Sequence, residues 1–313
     1  MAPKTRKRNT GKGKHGKTNK QRKQFRESKC SPLVKRNPDK KPFSCYTDEQ
    51  LFEMKELWNS RHPDAKITET DSKEIWKRLR DNMSNVCNRE SCWLKQKFAK
   101  NEVGKQFLQH SFAPKSPDVW KKNPTEWLTS VDIANVMNQY EKAYPSFEFI
   151  GPSPIDFDTH MTKGGGEGGA KKECVWQELC EFDLFDYIRK GKKKIGVVFN
   201  LDPHYLDGSH WVALFVDVSK KVIFFFDSNG EPAPDEVMRL VKKIKRQGKK
   251  QNIKFKFDSN EGIEHQLENT ECGIYCLYFI IQLVKGNKTT DFFKKNIIRD
   301  DVMQKLRKIY FNI

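Results

Sequence analysis

No run of 18 apolar residues occurs anywhere in the 313-residue chain, so the sequence offers no candidate membrane-spanning helix. No apolar segment follows Met1, and a secretory signal is not expected. The eight cysteines, at positions 30, 45, 87, 92, 174, 180, 272 and 276, lack the framed spacing of small secreted scaffolds. A soluble, unsecreted protein in a reducing compartment is therefore expected. The glycine-rich stretch 163–170 lacks the Gly-Lys-Ser/Thr ending of a phosphate-binding loop, which excludes a nucleotide site and leaves a mobile surface loop. Apolar residues are also scarce, at 36%, although aromatics reach 12%.

Charge explains that scarcity. Residues 1–41 hold 16 Lys and Arg against Glu27 and Asp39, which places +14 of the net +18 there and only +4 in the remaining 272 residues. A disordered basic tail over 1–42 is expected, able to bind phosphate backbones without reading sequence; nuclear import and simple solubility are the competing roles. Residues 43–115 read as a helical accessory module. Thr47 and Asp48 can cap one helix carrying Leu51, Met54, Leu57 and Trp58, and Asp71 can start another carrying Ile75, Trp76, Leu79 and Met83. Cys30, Cys45, Cys87 and Cys92 could hold zinc, but their spacing is loose and buried thiols are preferred. No metal site and no cofactor are expected.

Residues 116–313 form the candidate catalytic domain. A helix is expected after Trp127-Leu128, capped by Thr129 or Ser130, then a short strand at Phe147–Ile150 and a helix over Trp176–Arg189. The period then changes. Ile195–Asn200, Trp211–Val218 and Val222–Phe226 are β-rich, followed by a helix at Asp235–Arg246 and a strand at Ile253–Phe257. A dense apolar run from Ile274 to Val284 reads as a buried helix with Cys272 in its first turn, and an amphipathic helix near Asp300–Phe311 ends the pattern. Strands flanked by helices at both ends indicate an α+β fold.

A cysteine at a helix start lies beside free N–H groups and the positive dipole end, which favour thiolate. Gly273 admits the close approach of another chain, and Gln266 can supply an amide to an oxyanion hole. The alternative is a core helix that happens to begin with a small apolar cysteine. A thiol nucleophile needs a base, and the base needs an orienting group. Of the histidines at 15, 62, 110, 160, 204, 210 and 265, His210 begins one strand, and Asp227 ends the next. With a hairpin closed at Ser219-Lys220, paired positions place Asp227 opposite Val212, a diagonal neighbour of His210. Asn229 is an alternative orienting group, and Asp227 could instead be a simple turn residue. Cys276, one turn into the apolar helix, is rejected as nucleophile because burial raises its pKa.

His210-Trp211, Asp227-Ser228, Gln266 and Cys272-Gly273 resemble the His-Trp, Asp, Gln-x5-Cys-Gly series of SUMO-specific and adenain-like cysteine proteases. Trp127-Leu128 is similar to their Trp-Leu entry motif, with Thr129-Ser130 where Asn-Asp is usual. The resemblance covers residues 120–313 and implies a small central mixed sheet flanked by helices. It implies Cys272 as nucleophile, His210 as base and then acid, Asp227 as its orienting group, and Gln266 with the Cys272 N–H as oxyanion hole. Trp211 would line a channel that admits only glycine, with Trp127 and Gly273 also contacting substrate. The scissile bond in that family follows Gly-Gly.

The basic tail and the module containing Ser44-Cys45-Tyr46-Thr47 and Cys92-Trp93-Leu94 are similar to relatives in giant DNA viruses of the mimivirus, phycodnavirus and asfarvirus kind. That similarity implies an endopeptidase maturing structural polyproteins at Gly-Gly-X, located in the virion and the viral factory of the host cytoplasm, or in the nucleus if cellular. Its partners would be a Gly-Gly-X polypeptide and, through the tail, nonspecific nucleic acid, without membrane insertion. Gly168-Gly169-Ala170 itself satisfies the rule, which raises self-cleavage. The alternatives are an isopeptidase removing SUMO or ubiquitin, a Cys-His acetyltransferase, and a non-catalytic nucleic-acid-binding virion protein.

Overall fold

The computed structural model describes residues 25, 26, 28–34, 43–162 and 172–312. Four helices come first: α1 (Asp48–Arg61), α2 (Ser72–Met83), α3 (Glu90–Trp93) and α4 (Glu102–Ser111). Thr47 caps α1 in a reciprocal capping box with Gln50, and the Asp71 carboxylate accepts from the Lys73 and Glu74 amides of α2. Their apolar faces close on one core containing Leu51, Met54, Ile75, Leu79, Trp93 and Phe112.

The expected tail over 1–42 reaches too far. Phe25 packs edge-on against Trp76, Ser28 and Ser31 are buried, and Cys30 makes a β-bridge to Phe112. An aromatic ring and a cysteine inside a basic segment gave that stretch something to bury. Residues 1–24, 27 and 35–42 lie outside the described residues, as do the glycine-rich stretch and its Gly168-Gly169-Ala170 site.

The thiols expected in the module are instead paired. Cys30–Cys45 and Cys87–Cys92 are disulfides with Cα separations of 5.1 and 5.6 Å, and Cys174–Cys180 is a third at 6.2 Å. Sequence spacing does not report these through-space distances. With their sulfurs bonded to each other, Cys30, Cys45, Cys87 and Cys92 offer no thiolate to zinc. Among the described residues Cys272 and Cys276 are the free cysteines.

Beyond a 3-10 turn at Asp118–Lys121, α5 (Ser130–Ala143) leads into a five-stranded sheet. Its strands are β1 (Phe147–Pro154), β4 (Lys194–Asn200), β5 (Trp211–Asp217), β6 (Val222–Phe226) and β7 (Lys256–Ser259), in the order β1-β4-β5-β6-β7. Both outer pairings are parallel and the inner two antiparallel, so the sheet is mixed. Short strands β2 (His160–Thr162) and β3 (Lys172–Cys174) pair separately as an antiparallel ribbon.

The central sheet is covered on both faces. Phe215, Phe224 and Phe226 face α9 (Cys272–Lys285), α5 and α11 (Asp300–Tyr310); Val212, Leu214, Ile223 and Phe225 face α8 (Asp235–Lys250). Strand alternation sorts these residues to opposite sides, and burial of both sides explains why β5 and β6 read as unbroken apolar runs. A short α10 (Thr290–Lys295) buries Phe293 against Phe279.

Two elements depart from expectation. The helix foreseen over Trp176–Arg189 is two helices, α6 (Gln177–Cys180) and α7 (Leu184–Arg189). Asp183 caps the second by accepting from the Phe185 amide at 2.8 Å, and Phe182 turns into the core between them. The strand expected at Ile253–Phe257 lies later, at β7, because the Ile253 amide is used to close α8 on the Gly248 carbonyl.

Candidate active site

The hairpin of β5 and β6 has the anticipated register: Val216 faces Ile223 and Ala213 faces Phe226, which carries Asp227 opposite Val212. His210 and Asp227 meet at the sheet end, where His210 Nε2–H donates to Asp227 Oδ1 at 2.6 Å. Asp227 is almost wholly buried, and its Oδ1 also accepts from the Asn229 amide. Asn229 therefore supports the carboxylate and does not replace it.

Cys272 is the first residue of α9, is buried, and interacts electrostatically with the imidazole. Burial alone would lower the His210 pKa. The hydrogen bonds to Asp227 and Cys272, and the charges of both, outweigh it and hold the pKa at about 9. The imidazole is thus set to remain protonated at neutral pH beside a sulfur at a helix N-terminus. Cys276 is fully buried with its pKa pushed well up by desolvation, a poor nucleophile.

Gln266 lies beside this group. Its Oε1 accepts from Ser228 Oγ at 2.8 Å, its backbone amide reaches the Ser228 carbonyl, and its side-chain amide donates to the Glu268 carbonyl. One N–H of that amide is thereby used. The remaining histidines are elsewhere. His265 is buried, bridging the Phe293 carbonyl and the Ile298 amide, and burial lowers its pKa. His204 pairs with Asp156, and His160 lies 3.5 Å from Cys174 Sγ. His62 and His110 each bond a carbonyl of their own helix, and His15 is outside the described residues.

A cleft of about 590 Å³ leads to Trp211, lined by Trp127, Leu128, Pro154, Trp176, Asn200 and His204 among others. Trp211 Nε1–H donates to the Leu128 carbonyl at 3.0 Å, which fixes the indole across the cleft end. Trp127 is 37% exposed beside it. At Gly273 the space that a side chain would need is already taken. The chain that approaches it closely is the protein's own Leu128, whose Cβ would lie 3.0 Å from a Cβ at position 273. Leu128, Trp211 and Gly273 are thus one packed unit.

Two supports were not foreseen from sequence. Asn260 brackets Asp227, accepting from its amide at 2.9 Å and donating to its carbonyl at 2.6 Å. Glu271, directly before Cys272, is fully buried and paired at 2.7 Å with Arg307 of α11. The same guanidinium donates to the carbonyls of Glu126, Thr125 and Thr270, and stacks 4.6 Å over Trp120. It ties the start of α9 to the segment leading into Trp127. A buried acid next to Cys272 was a visible signal, but its partner lies 36 residues away.

A helix-start thiol, an imidazole that interacts with it, and a buried carboxylate bonded to that imidazole are the kinds of group a cysteine peptidase uses. Residues 190–312 match the Ulp1 protease family, C-terminal catalytic domain. Over these residues the chain is Ulp1-like, and it is a cysteine peptidase similar to proteins of large DNA viruses. It is 28% identical over 295 residues to a protein of Acanthamoeba polyphaga mimivirus named as a thiol protease, covering 87% of this chain and 90% of that protein. It is 27% identical over 259 residues to a cysteine protease of African swine fever virus, covering 80% and 92%; in other isolates that protein is named a SUMO-1 cysteine protease. A crystal structure of the African swine fever virus protease superposes with a TM-score of 0.57 at 25% identity, covering 79% of this chain and 94% of that one. Among the described residues no helix is long and apolar enough to cross a membrane.

Proposed function

We propose that the chain is an endopeptidase cutting after Gly-Gly and maturing viral structural polyproteins in the assembling particle. The observation that supports this most is the cleft end, where Trp211 is tied to the Leu128 carbonyl and Leu128 is seated against Gly273. An indole held in place there suits glycine in the chain that passes it. Cys272 attacks the glycine carbonyl as thiolate, forming the C–S bond. The Cys272 N–H and the Gln266 side-chain amide stabilise the oxyanion. His210, held by Asp227, gives its proton to the leaving amine and then takes one from the water that hydrolyses the thioester. Trp127 contacts the incoming chain, and Gly273 acts through Leu128.

Residues 43–115 act as an accessory unit, with a core separate from that of the catalytic domain 116–313. The basic N-terminal residues hold the enzyme on nucleic acid, as their +14 charge suggests. A second reading has one observation in its favour: relatives named as SUMO-1 cysteine proteases make removal of a ubiquitin-like modifier an alternative. A side-by-side assay separates the two, using a short internal Gly-Gly-Ala peptide and a modifier ending in a Gly-Gly fluorogenic amide. Cleavage of the short peptide, lost in Cys272→Ala, is expected. Cleavage of the modifier alone would replace the proposal with deconjugation.

A further inference from the structure

Among the described residues, another cysteine–histidine cluster flanks Val175 and Trp176 of the cleft lining. His160 of β2 and Cys174 of β3 face each other across the ribbon, and Cys180 ends α6 six residues later. The donor atoms of His160, Cys174 and Cys180 all lie within 4.8 Å of one another, with His160 Nε2 and Cys174 Sγ 3.5 Å apart. Tetrahedral zinc, with bonds of ~2.0–2.3 Å to nitrogen and sulfur, sets such ligands ~3.5 Å apart. The donor set is soft and nitrogen-containing, which suits Zn²⁺ and disfavours Mg²⁺ or Ca²⁺.

We propose that, once the Cys174–Cys180 bond is reduced, His160, Cys174 and Cys180 form a zinc site whose fourth position is taken by water. The disulfide and the metal complex are then two alternative clasps made from the same two sulfurs. A phosphine reductant and one water convert the disulfide to two thiols and a phosphine oxide. Binding of Zn²⁺ then releases both thiol protons, and the sulfurs part from a bonded ~2 Å to ~3.7 Å. The ribbon and α6 can accommodate this, since His160 is exposed and both cysteines are only half-buried.

The position gives the site a structural consequence. Val175 and Trp176, enclosed between the two cysteines, line the cleft that leads to Trp211. Their amides are held by the carbonyls of Thr159 and Phe157 at 2.9 and 3.0 Å, next to His160. Either clasp therefore fixes one wall of the cleft, and an enzyme working among thiol reductants would retain it by binding zinc. Zinc binding itself does not depend on the Gly-Gly reading, and the test reads no activity.

The full chain carrying Cys272→Ala, reduced with a phosphine under anaerobic conditions, is titrated with Co²⁺ and then Zn²⁺. The site should take up one equivalent with thiolate-to-cobalt absorption, beyond whatever the Cys30, Cys45, Cys87 and Cys92 thiols freed by the same reduction bind, and Zn²⁺ should displace it. Adding Cys174→Ser should remove that equivalent, while His160→Ala, at an exposed position expected to fold normally, should weaken it ~10–100-fold or more. Zinc should also slow hydrogen exchange at residues 172–180. Failure of the reduced protein to bind Zn²⁺, or uptake unchanged by Cys174→Ser, would overturn the site. Equal affinity in His160→Ala would overturn the three-ligand assignment.

Discussion

Replacing Asp227 with Asn tests whether the carboxylate sets the protonation of His210. In the wild type, the His210 pKa rises from 6.5 to about 9 against the opposing effect of burial. A rise of that size is worth roughly 3 kcal/mol in favour of the imidazolium. Asp227, one of the two groups responsible, lies 2.6 Å away and is almost fully buried, so Coulomb screening is weak. Asn keeps the shape and loses the charge. The imidazolium should then deprotonate ~1–2 pH units lower, and turnover should fall ~10²–10⁴-fold through loss of the proton donor and its orientation.

The assay is kcat/KM against pH, run alongside the rate of Cys272 alkylation. Wild-type turnover should decline on the alkaline side near pH 9, where the imidazolium is lost, while alkylation persists because the thiolate remains. In Asp227→Asn the alkaline limb should move down and alkylation should not follow it. Stability carries the same signature. A group whose pKa is raised on folding contributes fully below its unfolded value, near 6.5, and that contribution disappears as pH climbs through about 9. The wild-type Tm should therefore fall between those pH values more steeply than that of the variant. An unchanged alkaline limb in Asp227→Asn would refute the assignment of Asp227 as the source of the high His210 pKa.

Cys272→Ala should abolish peptide cleavage with little change in Tm, since the replaced group is small; wild-type turnover in that variant would move the nucleophile elsewhere. Arg307→Met should cost ~3–5 kcal/mol in denaturant unfolding, because it strands the buried Glu271 carboxylate. A loss below ~1 kcal/mol would mean that water or another cation reaches Glu271. Gly273→Ala should raise KM and cost ~1–3 kcal/mol, as its methyl group would press on Leu128 at 3.0 Å and move the Trp211 anchor; unchanged kinetics would remove Gly273 from the cleft. Removing residues 1–24 should weaken retention on DNA in a salt-dependent manner and leave peptide cleavage intact. That cut spares Cys30, whose bond to Cys45 belongs to the helical core.

The chain determined by itself every part of this site that local pattern can carry. His210 begins one β-rich run and Asp227 ends the next, and a hairpin closed at Ser219-Lys220 without a bulge gives a register in which they meet, the one observed. Cys272 precedes an apolar run that can only be a buried helix, so its place at the helix start follows from the sequence. The caps at Thr47, Asp71 and Thr129 are equally local, each a side chain answering amides two or three residues on.

Tertiary structure decided what depends on distance through space. Arg307 reaches Glu271 and Asn260 reaches Asp227 because the packed sheet and helices bring remote segments together, and no periodicity encodes such a pair. The pairing of Cys30 with Cys45, and of Cys87 with Cys92, depends on Cα separations that folding sets, so the same spacing fits thiol, disulfide or metal ligand. Gly273 shows the division within a single residue. Its lack of a side chain announces a close approach, and only the packed structure reveals that the approaching chain is Leu128, which holds Trp211 across the cleft.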